Sequence, residues 1–402
     1  MSGFRAVRVS EHAWWVGAVD WPIADFHGYA TDRGTTYNAY LITGDKPTLV
    51  DTVKAPFMEE MMARIASVMD PSLIKYVVSN HAERDHTGCF VDTVARLKPE
   101  KVFASQMGVK NLHAQFHDAC DITAVKDGEK LSLGNLNLTF LETRMLHWPD
   151  SMVSYLHEDA VLFSQDAFGM HLATGKLFAD ENDPAVLEWE ARKYYANILL
   201  LYSGLVAKAV ERIKGLGIPI NVLAPDHGPV WRKDVLTPVG WYANWAAQKP
   251  GNKAVVVYDT MWQSTELLAR SIADGIAEGG SEVRVLSMHT AHRSDVMTEL
   301  LGAGALVAGS PTINNDLFPT VADVLTYARG LKPKNLIGAA FASYGWSGES
   351  AGLVEEYLKQ MGVELVAPAL KVRFKPTEEE LQKCRELGRL ISSKLVERAG
   401  AA

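Results

Sequence analysis

Apolar residues follow two different rhythms along this chain. In the first part they come in short runs broken by turn residues. Residues 7–9, 13–19, 37–42 and 48–51 read as strands of an antiparallel meander, with a turn at Gly44-Asp45. Residues 57–68 carry a helical period that Asp70-Pro71 ends, and 74–79 is a strand running into polar sequence. A helix over 88–97 and a short strand at 102–104 follow, then strands at 131–133, 136–142, 151–155 and 160–163. Helical patterns at 185–202 and 205–216 precede a last strand, 221–224. Such strands flanked by helices predict a two-sheet sandwich covered by helices. After Gln248-Lys249-Pro250-Gly251-Asn252-Lys253, which reads as a linker, the rhythm becomes a regular alternation. Strands at 254–258, 282–286, 305–308, 335–342 and 364–372 alternate with helices at 265–277, 294–301, 320–330, 350–361 and 377–398. Largely apolar strands with helices between them predict a doubly wound parallel sheet. The expected domains are 1–250 and 251–402.

Composition narrows the class. A 402-residue chain is long enough for two domains, and 48% hydrophobic with 22% charged residues is ordinary for a globular protein. A net charge of -8 argues against general nucleic-acid binding and gives no reason to invoke a membrane surface. The opening Met1-Ser2-Gly3-Phe4-Arg5 leads into polar sequence without a signal-peptide core, and no apolar run approaches membrane-spanning length. Cys89, Cys120 and Cys384 are far apart, which fits a reducing cytoplasm and argues against a cysteine-ligated iron–sulfur or rubredoxin-type site within the chain.

The chemistry gathers at strand ends. His81, Glu83, Asp85 and His86 arrive within six positions of one another, just after the strand at 74–79. An extended backbone would aim His81, Glu83 and Asp85 the same way, whereas a helix would put His81 and Asp85 on one face and Glu83 off it. Alone, the loop is a charged surface loop. It has company in Met145-Leu146-His147-Trp148-Pro149-Asp150, in Phe163-Ser164-Gln165-Asp166-Ala167-Phe168 and in Ala224-Pro225-Asp226-His227-Gly228, each with a His or Asp at or near the end of an apolar run. Strand-end ligands from separate segments converge when a rigid sheet positions their loops, so a metal site is expected.

In the second half, ligands are expected beyond the carboxyl ends of the strands. Asp259-Thr260-Met261-Trp262-Gln263-Ser264-Thr265 opens the first helix with hydroxyls and backbone N–H groups that suit a phosphate. Ser310-Pro311-Thr312-Ile313-Asn314-Asn315 and Ser343-Tyr344-Gly345-Trp346-Ser347-Gly348 follow the third and fourth strands, and a flat ring held between them would find Trp346 to stack on. The alternative is a set of ordinary loops. No G-x-G-x-x-G or Walker lysine motif is present, which disfavours a dinucleotide or a nucleoside triphosphate.

The first half resembles the metallo-β-lactamase fold, an αββα sandwich, with Glu83 standing where that superfamily's usual loop has a second His. More carboxylate beside histidine makes a harder, more anionic site, suited to iron rather than to the zinc of a hydrolase. With a flavodoxin-like doubly wound sheet following directly, the whole α/β chain resembles the flavodiiron proteins, also called A-type flavoproteins, and most closely the oxygen-reducing members that take electrons from rubredoxin. The resemblance rests on His81-Ala82-Glu83-Arg84-Asp85-His86, on Glu142-Thr143-Arg144-Met145-Leu146-His147-Trp148-Pro149-Asp150-Ser151-Met152, on Pro225-Asp226-His227-Gly228 and on Ser343-Tyr344-Gly345-Trp346-Ser347-Gly348-Glu349.

The resemblance implies a non-haem diiron centre and FMN. His81, Glu83 and His147 would hold one iron, Asp85 and His227 the other, and Asp166 would bridge them. His86 matches a position that coordinates in some members and not in others. The stretch Phe26-His27-Gly28-Tyr29 also matches, and it implies that His27, His171 and Tyr195 line the substrate pocket; for each of them a packing or surface role is an equal alternative. The implied activity is reduction of O2 to water, of NO to N2O, or both. Electrons would come from rubredoxin or a reduced deazaflavin, in a cytoplasmic head-to-tail homodimer or dimer of dimers. With nothing appended after Ala402, the simplest class of the family is expected. A zinc-dependent hydrolase with a flavodoxin-like module and a plain flavin electron carrier are the rival readings.

Overall fold

The computed structural model describes residues 3–401; Met1, Ser2 and Ala402, on which the expectations about the chain ends partly rest, lie outside the described residues. There are two compact units. Gly204–Ala243 joins the residues up to Tyr194 in the first, and Tyr195–Ser203 joins those from Asn244 onward in the second.

The first unit is built on two sheets. A seven-stranded sheet runs Val7–Arg8, Ala13–Trp15, Tyr40–Ile42, Thr48–Val50, Tyr76–Ser79, Lys101–Ser105, Thr123–Val125 in spatial order. A five-stranded sheet runs Lys130–Ser132, Asn137–Glu142, Met152–Leu156, Val161–Gln165, Val222–Pro225. The pleat explains why nearly every strand residue is buried. Trp15, Tyr40, Val50 and Val78 face the other sheet and pack with Leu138, Phe140, Phe163 and Ala224. Their neighbours Leu41, Leu49 and Val77 face the other way and pack under Met61, Met62, Ile65, Phe90 and Leu97 of the covering helices.

The predicted strand at 13–19 is in fact two, Ala13–Trp15 and Ala18–Asp20, the second pairing with Thr35–Tyr37. The chain turns at Gly17, where an added Cβ would stand 2.3 Å from the Tyr37 carbonyl oxygen. The pattern also missed the helices Gln106–Phe116 and Thr237–Ala246. The first of these buries only Gly108 and Leu112, too few to set a period, and depends on a cap in which the Ser105 side chain accepts from the Gly108 N–H.

The predicted helix at 185–202 changes type along its length. It is α over Pro184–Tyr194, π over Tyr195–Leu199 and 3-10 over Leu200–Tyr202. Its α segment carries a buried carboxyl, Glu190, which burial pushes up to about 7 against the pull of Lys193 and Arg33, the latter with its Nε at 3.1 Å. An acid whose folded value lies above its unfolded value of about 4.3 contributes stability that is complete below about 4.3 and is lost as pH rises through 7. Glu190→Gln is therefore expected to remove about 2–3 kcal/mol of the stability lost between pH 5 and 8. Urea unfolding at both pH values checks this; equal slopes in the two proteins would contradict it.

The second unit carries the predicted parallel sheet, in the order Glu282–Ser287, Lys253–Tyr258, Ala305–Pro311, Ile337–Tyr344, Glu364–Leu365. The expected last strand at 364–372 is broken, since Glu364–Leu365 and Leu370–Arg373 pair separately with Ile337–Tyr344. Pro368 falls in the gap, and proline has no N–H to continue a ladder.

Candidate metal centre

All the predicted ligand loops leave their strands toward one place. After Tyr76–Ser79 the chain bends at Asn80, is extended at Glu83 (φ -67°, ψ 149°) and then turns into a short helix, Arg84–Thr87. Neither of the two backbone alternatives thus holds for the whole motif. His81 and Glu83 precede the helix, Asp85 and His86 belong to it.

Seven side chains converge in two groups. In one, Glu83 Oε2 lies 3.3 Å from His81 Nε2 and 3.1 Å from His147 Nε2, and Asp166 Oδ2 lies 3.3 Å and 3.0 Å from the same two nitrogens. In the other, Asp85 Oδ2 lies 3.0 Å from His227 Nε2 and 3.2 Å from His86 Nε2. Asp166 Oδ1 faces that second pair, at 3.0 Å from His86 Nε2 and 3.5 Å from His227 Nε2. One carboxylate therefore offers one oxygen to each group. His86 turns its Nε2 inward with the others.

Outer contacts fix these rings. His81 Nδ1 lies 3.1 Å from Asp150 Oδ2, which also accepts the Ala82 N–H at 2.7 Å, while Asn111 donates to Oδ1 at 2.8 Å. His227 Nδ1 lies 2.6 Å from the Thr36 carbonyl oxygen, so that nitrogen donates and Nε2 is the one turned toward the centre. Gln165 joins two of the loops. Its Oε1 accepts the Asp166 N–H at 2.7 Å and its amide donates to the Leu146 carbonyl. Met145, Gln165 and Phe168 all have positive φ (67°, 48° and 67°), so the backbone beside His147 and Asp166 is held in conformations that L-residues rarely adopt.

The donor set fits metal ions. Both Asp85 oxygens, Asp166 Oδ2, His147 Nε2 and His227 Nε2 are buried and have no well-formed hydrogen-bond partner. Buried polar atoms left this way are costly unless something else satisfies them. Electrostatics points the same way. Burial alone would raise Glu83, yet the imidazoles of His147, His27 and His81 facing it hold it well below the usual carboxylate range. Burial opposes charge on His86, but Asp85, Asp166 and Asp226 outweigh it and raise the ring to about 10. Such a centre exchanges protons for cations when metal binds.

The expected pocket residues divide. His27 sits at the mouth, its Nε2 2.8 Å from Glu83 Oε1 and its ring stacked on Phe26 at 4.0 Å. His171 is buried 4.6 Å from the His227 ring, and its Nδ1 lies 2.7 Å from the Thr35 hydroxyl. Burial, with His227 and His27 adding to it, holds His171 well below the ordinary imidazole value, so it is neutral. Tyr195 is not placed with them. Its hydroxyl donates to Ser203 at 3.1 Å and its ring lies against Trp245. The residue before it, Tyr194, takes that place, 5.2 Å from the His171 ring, with a buried hydroxyl that has no partner.

A second cleft, of about 650 Å³, lies at the carboxyl ends of the strands in the other unit. Met261, Trp262, Ser264, Pro311, Thr312, Asn314, Asn315, Ser343, Tyr344, Gly345, Trp346 and Ser347 line it, all of them expected there. Thr260, Thr265 and Gly348 do not line it. Thr265 turns inward to the Ser343 hydroxyl at 2.8 Å, and Gly348 (φ 87°) packs under the Tyr344 ring. Gln263, within the expected helix-opening loop, lines it too, as do Leu267, Phe374 and Lys375, which the sequence reading missed. The helix Ser264–Glu278 begins here with no side chain capping its first N–H groups, a ready anion site. Trp262 and Trp346 are 88% and 86% exposed, an unusual state for indoles unless something flat covers them.

A lactamase-type metal domain joined to a flavodoxin-type domain is the class that this fold and centre define. Residues 35–228 match the family described as ODP family beta lactamase, and residues 256–388 match flavodoxin. The chain is 45% identical to the nitric oxide reductase of Moorella thermoacetica, over 98% of this chain and 100% of that one. It is 43% identical to the rubredoxin-oxygen oxidoreductase of Megalodesulfovibrio gigas, over 97% and 98%. Its structure superposes on the flavodiiron protein of Giardia intestinalis with a TM-score of 0.96 at 32% identity, covering 100% and 99%. The chain belongs to the flavodiiron proteins.

Proposed function

We propose that this protein reduces O2 to water, NO to N2O, or both, at a diiron centre supplied with electrons through FMN. The observation that carries the reading is Asp166, whose two oxygens face two separate sets of histidines. His81, Glu83 and His147 would hold one iron, Asp85, His86 and His227 the other. Two irons and FMN, once bound, would supply one- and two-electron redox chemistry, enough together for four-electron reduction of O2. The chain's own residues do the rest. Asp150 and the Thr36 carbonyl set the histidine orientations, and buried His171 and Tyr194 offer hydrogen-bonding groups beside the centre. In the second unit, the uncapped helix start would take the phosphate and the exposed indoles the ring.

Rubredoxin, or a reduced deazaflavin, is the proposed donor, a reading supported by the relative named rubredoxin-oxygen oxidoreductase. A cytoplasmic head-to-tail homodimer or dimer of dimers completes the proposal. No helix among the described residues is long and apolar enough to cross a membrane.

The test is anaerobic reduction of the purified protein followed by limiting O2, then limiting NO, with electrons and products counted. Four electrons per O2 without peroxide is the expected result, and the relative NO rate then ranks the two substrates. Slow two-electron oxidation to peroxide, with NO inert, would leave a bare flavin carrier. Zinc in place of iron would point to the hydrolase.

A further inference from the structure

Reducing either diatomic consumes protons, and the groups around the metal centre are poor sources of them. His171 is buried with its Nδ1 2.7 Å from the Thr35 hydroxyl, and the Tyr194 hydroxyl is fully buried, so neither meets water that could reload it with a proton. His27 is engaged with Glu83 at 2.8 Å. One further group lines the cavity of about 340 Å³ at the mouth of the centre, together with Phe26, His27, Glu83, Arg84 and Asp85: Lys54.

Lys54 is held in place there. Its Nζ sits 5.4 Å from the Phe26 ring centre and 5.5 Å from that of Tyr37, both cation–π contacts. It donates to the Tyr37 hydroxyl at 3.3 Å, and that hydroxyl donates in turn to Asp20 at 2.9 Å. With its own proton committed to Asp20, the Tyr37 oxygen is left as an acceptor, and this fixes the direction of the chain. Lys54 forms no ion pair with a described residue, so its remaining N–H groups have no carboxylate to satisfy first. The backbone is fixed as well, because Gly88 packs so closely that a Cβ there would stand 2.7 Å from the Ala55 nitrogen. Half-buried at the mouth, Lys54 touches the cavity on one side and water on the other.

We infer that Lys54 delivers protons to the diatomic being reduced, with Tyr37 and Asp20 as its positioning residues. The inference rests on the reading given above. In each transfer one N–H bond of the ammonium breaks and one O–H bond forms on the oxygen being reduced, while the electrons come from the reduced enzyme. Water at the mouth then returns a proton to the amine. Four such protons with four electrons turn O2 into two waters; two with two turn a pair of NO molecules into N2O and water. The titratable and charged groups facing Lys54 are Glu83, Asp85, Arg84 and His27 from the cavity, and Asp20 through Tyr37.

The test uses the holoenzyme. Lys54→Met is expected to lower kcat on the order of a hundredfold, the usual contribution of a positioned proton donor, with KM, iron and flavin unchanged. Lys54→Arg is expected to be equally slow, since guanidinium keeps the charge but holds its proton. Native turnover in Lys54→Met, or full rescue by Lys54→Arg, would overturn the proposal; the second would make Lys54 purely electrostatic. Should Lys54→Met purify without its iron, Tyr37→Phe decides, with a several-fold drop in kcat expected and native turnover overturning the role. Competitive acetylation gives a readout apart from turnover. Lys54 should react more slowly than the exposed lysines in the native protein and faster in Tyr37→Phe; equal reactivity in both would overturn the positioning. A native protein that reduces neither diatomic sinks the functional reading itself, while the acetylation pattern still reports the geometry.

Discussion

Asp166→Ala is expected to purify with less than one iron per chain and with reductase activity reduced by more than about a hundredfold, beyond what loss of a residue behind a ligand costs. The argument is geometric. Removing Glu83 or His147 strips one group, but Asp166 Oδ2 lies 3.0 Å from His147 Nε2 in the first group and Oδ1 lies 3.0 Å from His86 Nε2 in the second. Without it, each group loses its shared anion and the positive charge of two metal ions goes less balanced. Asp150→Asn is the graded comparison. It keeps the side chain's shape behind His81 but weakens the charge-assisted contact at 3.1 Å, so a tenfold to hundredfold loss of metal affinity, about 1.4–2.7 kcal/mol, is expected instead of loss of the centre. Metal analysis of both variants, with anaerobic turnover, separates the cases. Two irons retained in Asp166→Ala would remove the bridging assignment.

How much of this was legible follows from where each residue stands. The ligands could be read because His81, His147, Asp166 and His227 each follow an apolar run, and the end of a strand is where a sheet presents side chains to a loop. What stands behind them could not be read as such, because it is contributed by carbonyls and polar residues that carry no pattern. The Thr36 carbonyl partner of His227 is one case; Lys54, at the mouth in the loop after a strand, carries no pattern either. Tyr194 was missed by one position. A uniform α-helix over 185–202 gives no reason to choose between adjacent tyrosines, and the π turn that begins at Tyr195 sends the two side chains to different surroundings. In the second unit the helix-opening loop was readable from its hydroxyls. Phe374 and Lys375 were not, since they reach the cleft only because Leu370–Arg373 lies beside Ile337–Tyr344, a pairing set by topology and not by local sequence.

Topology also creates the second large effect. Gly388→Val is expected to destabilise the second unit by about 3 kcal/mol or more and to abolish flavin binding, while iron content stays native. The helices Ser264–Glu278 and Glu378–Ala401 cross backbone to backbone at glycines. A Cβ added at Gly388 would stand 2.1 Å from the Ile272 carbonyl oxygen, and one at Gly275 would stand 2.0 Å from that of Arg385. Neither oxygen is the end of a flexible side chain, so relief requires the helices to move apart. That movement would unpack Ile272, Ile276, Leu387 and Ile391, which cover one face of the parallel sheet. The first unit has its own two-sheet core, with no residue in common with this cluster, so its ligand loops keep their support. Gly352→Ala serves as the control: it is an exposed helical glycine with nothing within 4 Å of an added Cβ, and it should gain roughly 0.5–1 kcal/mol. Thermal unfolding with flavin and iron analysis checks both variants. If Gly388→Val bound flavin stoichiometrically with a native Tm, the crossing would tolerate separation and the close backbone contact would not be what holds the cleft in shape.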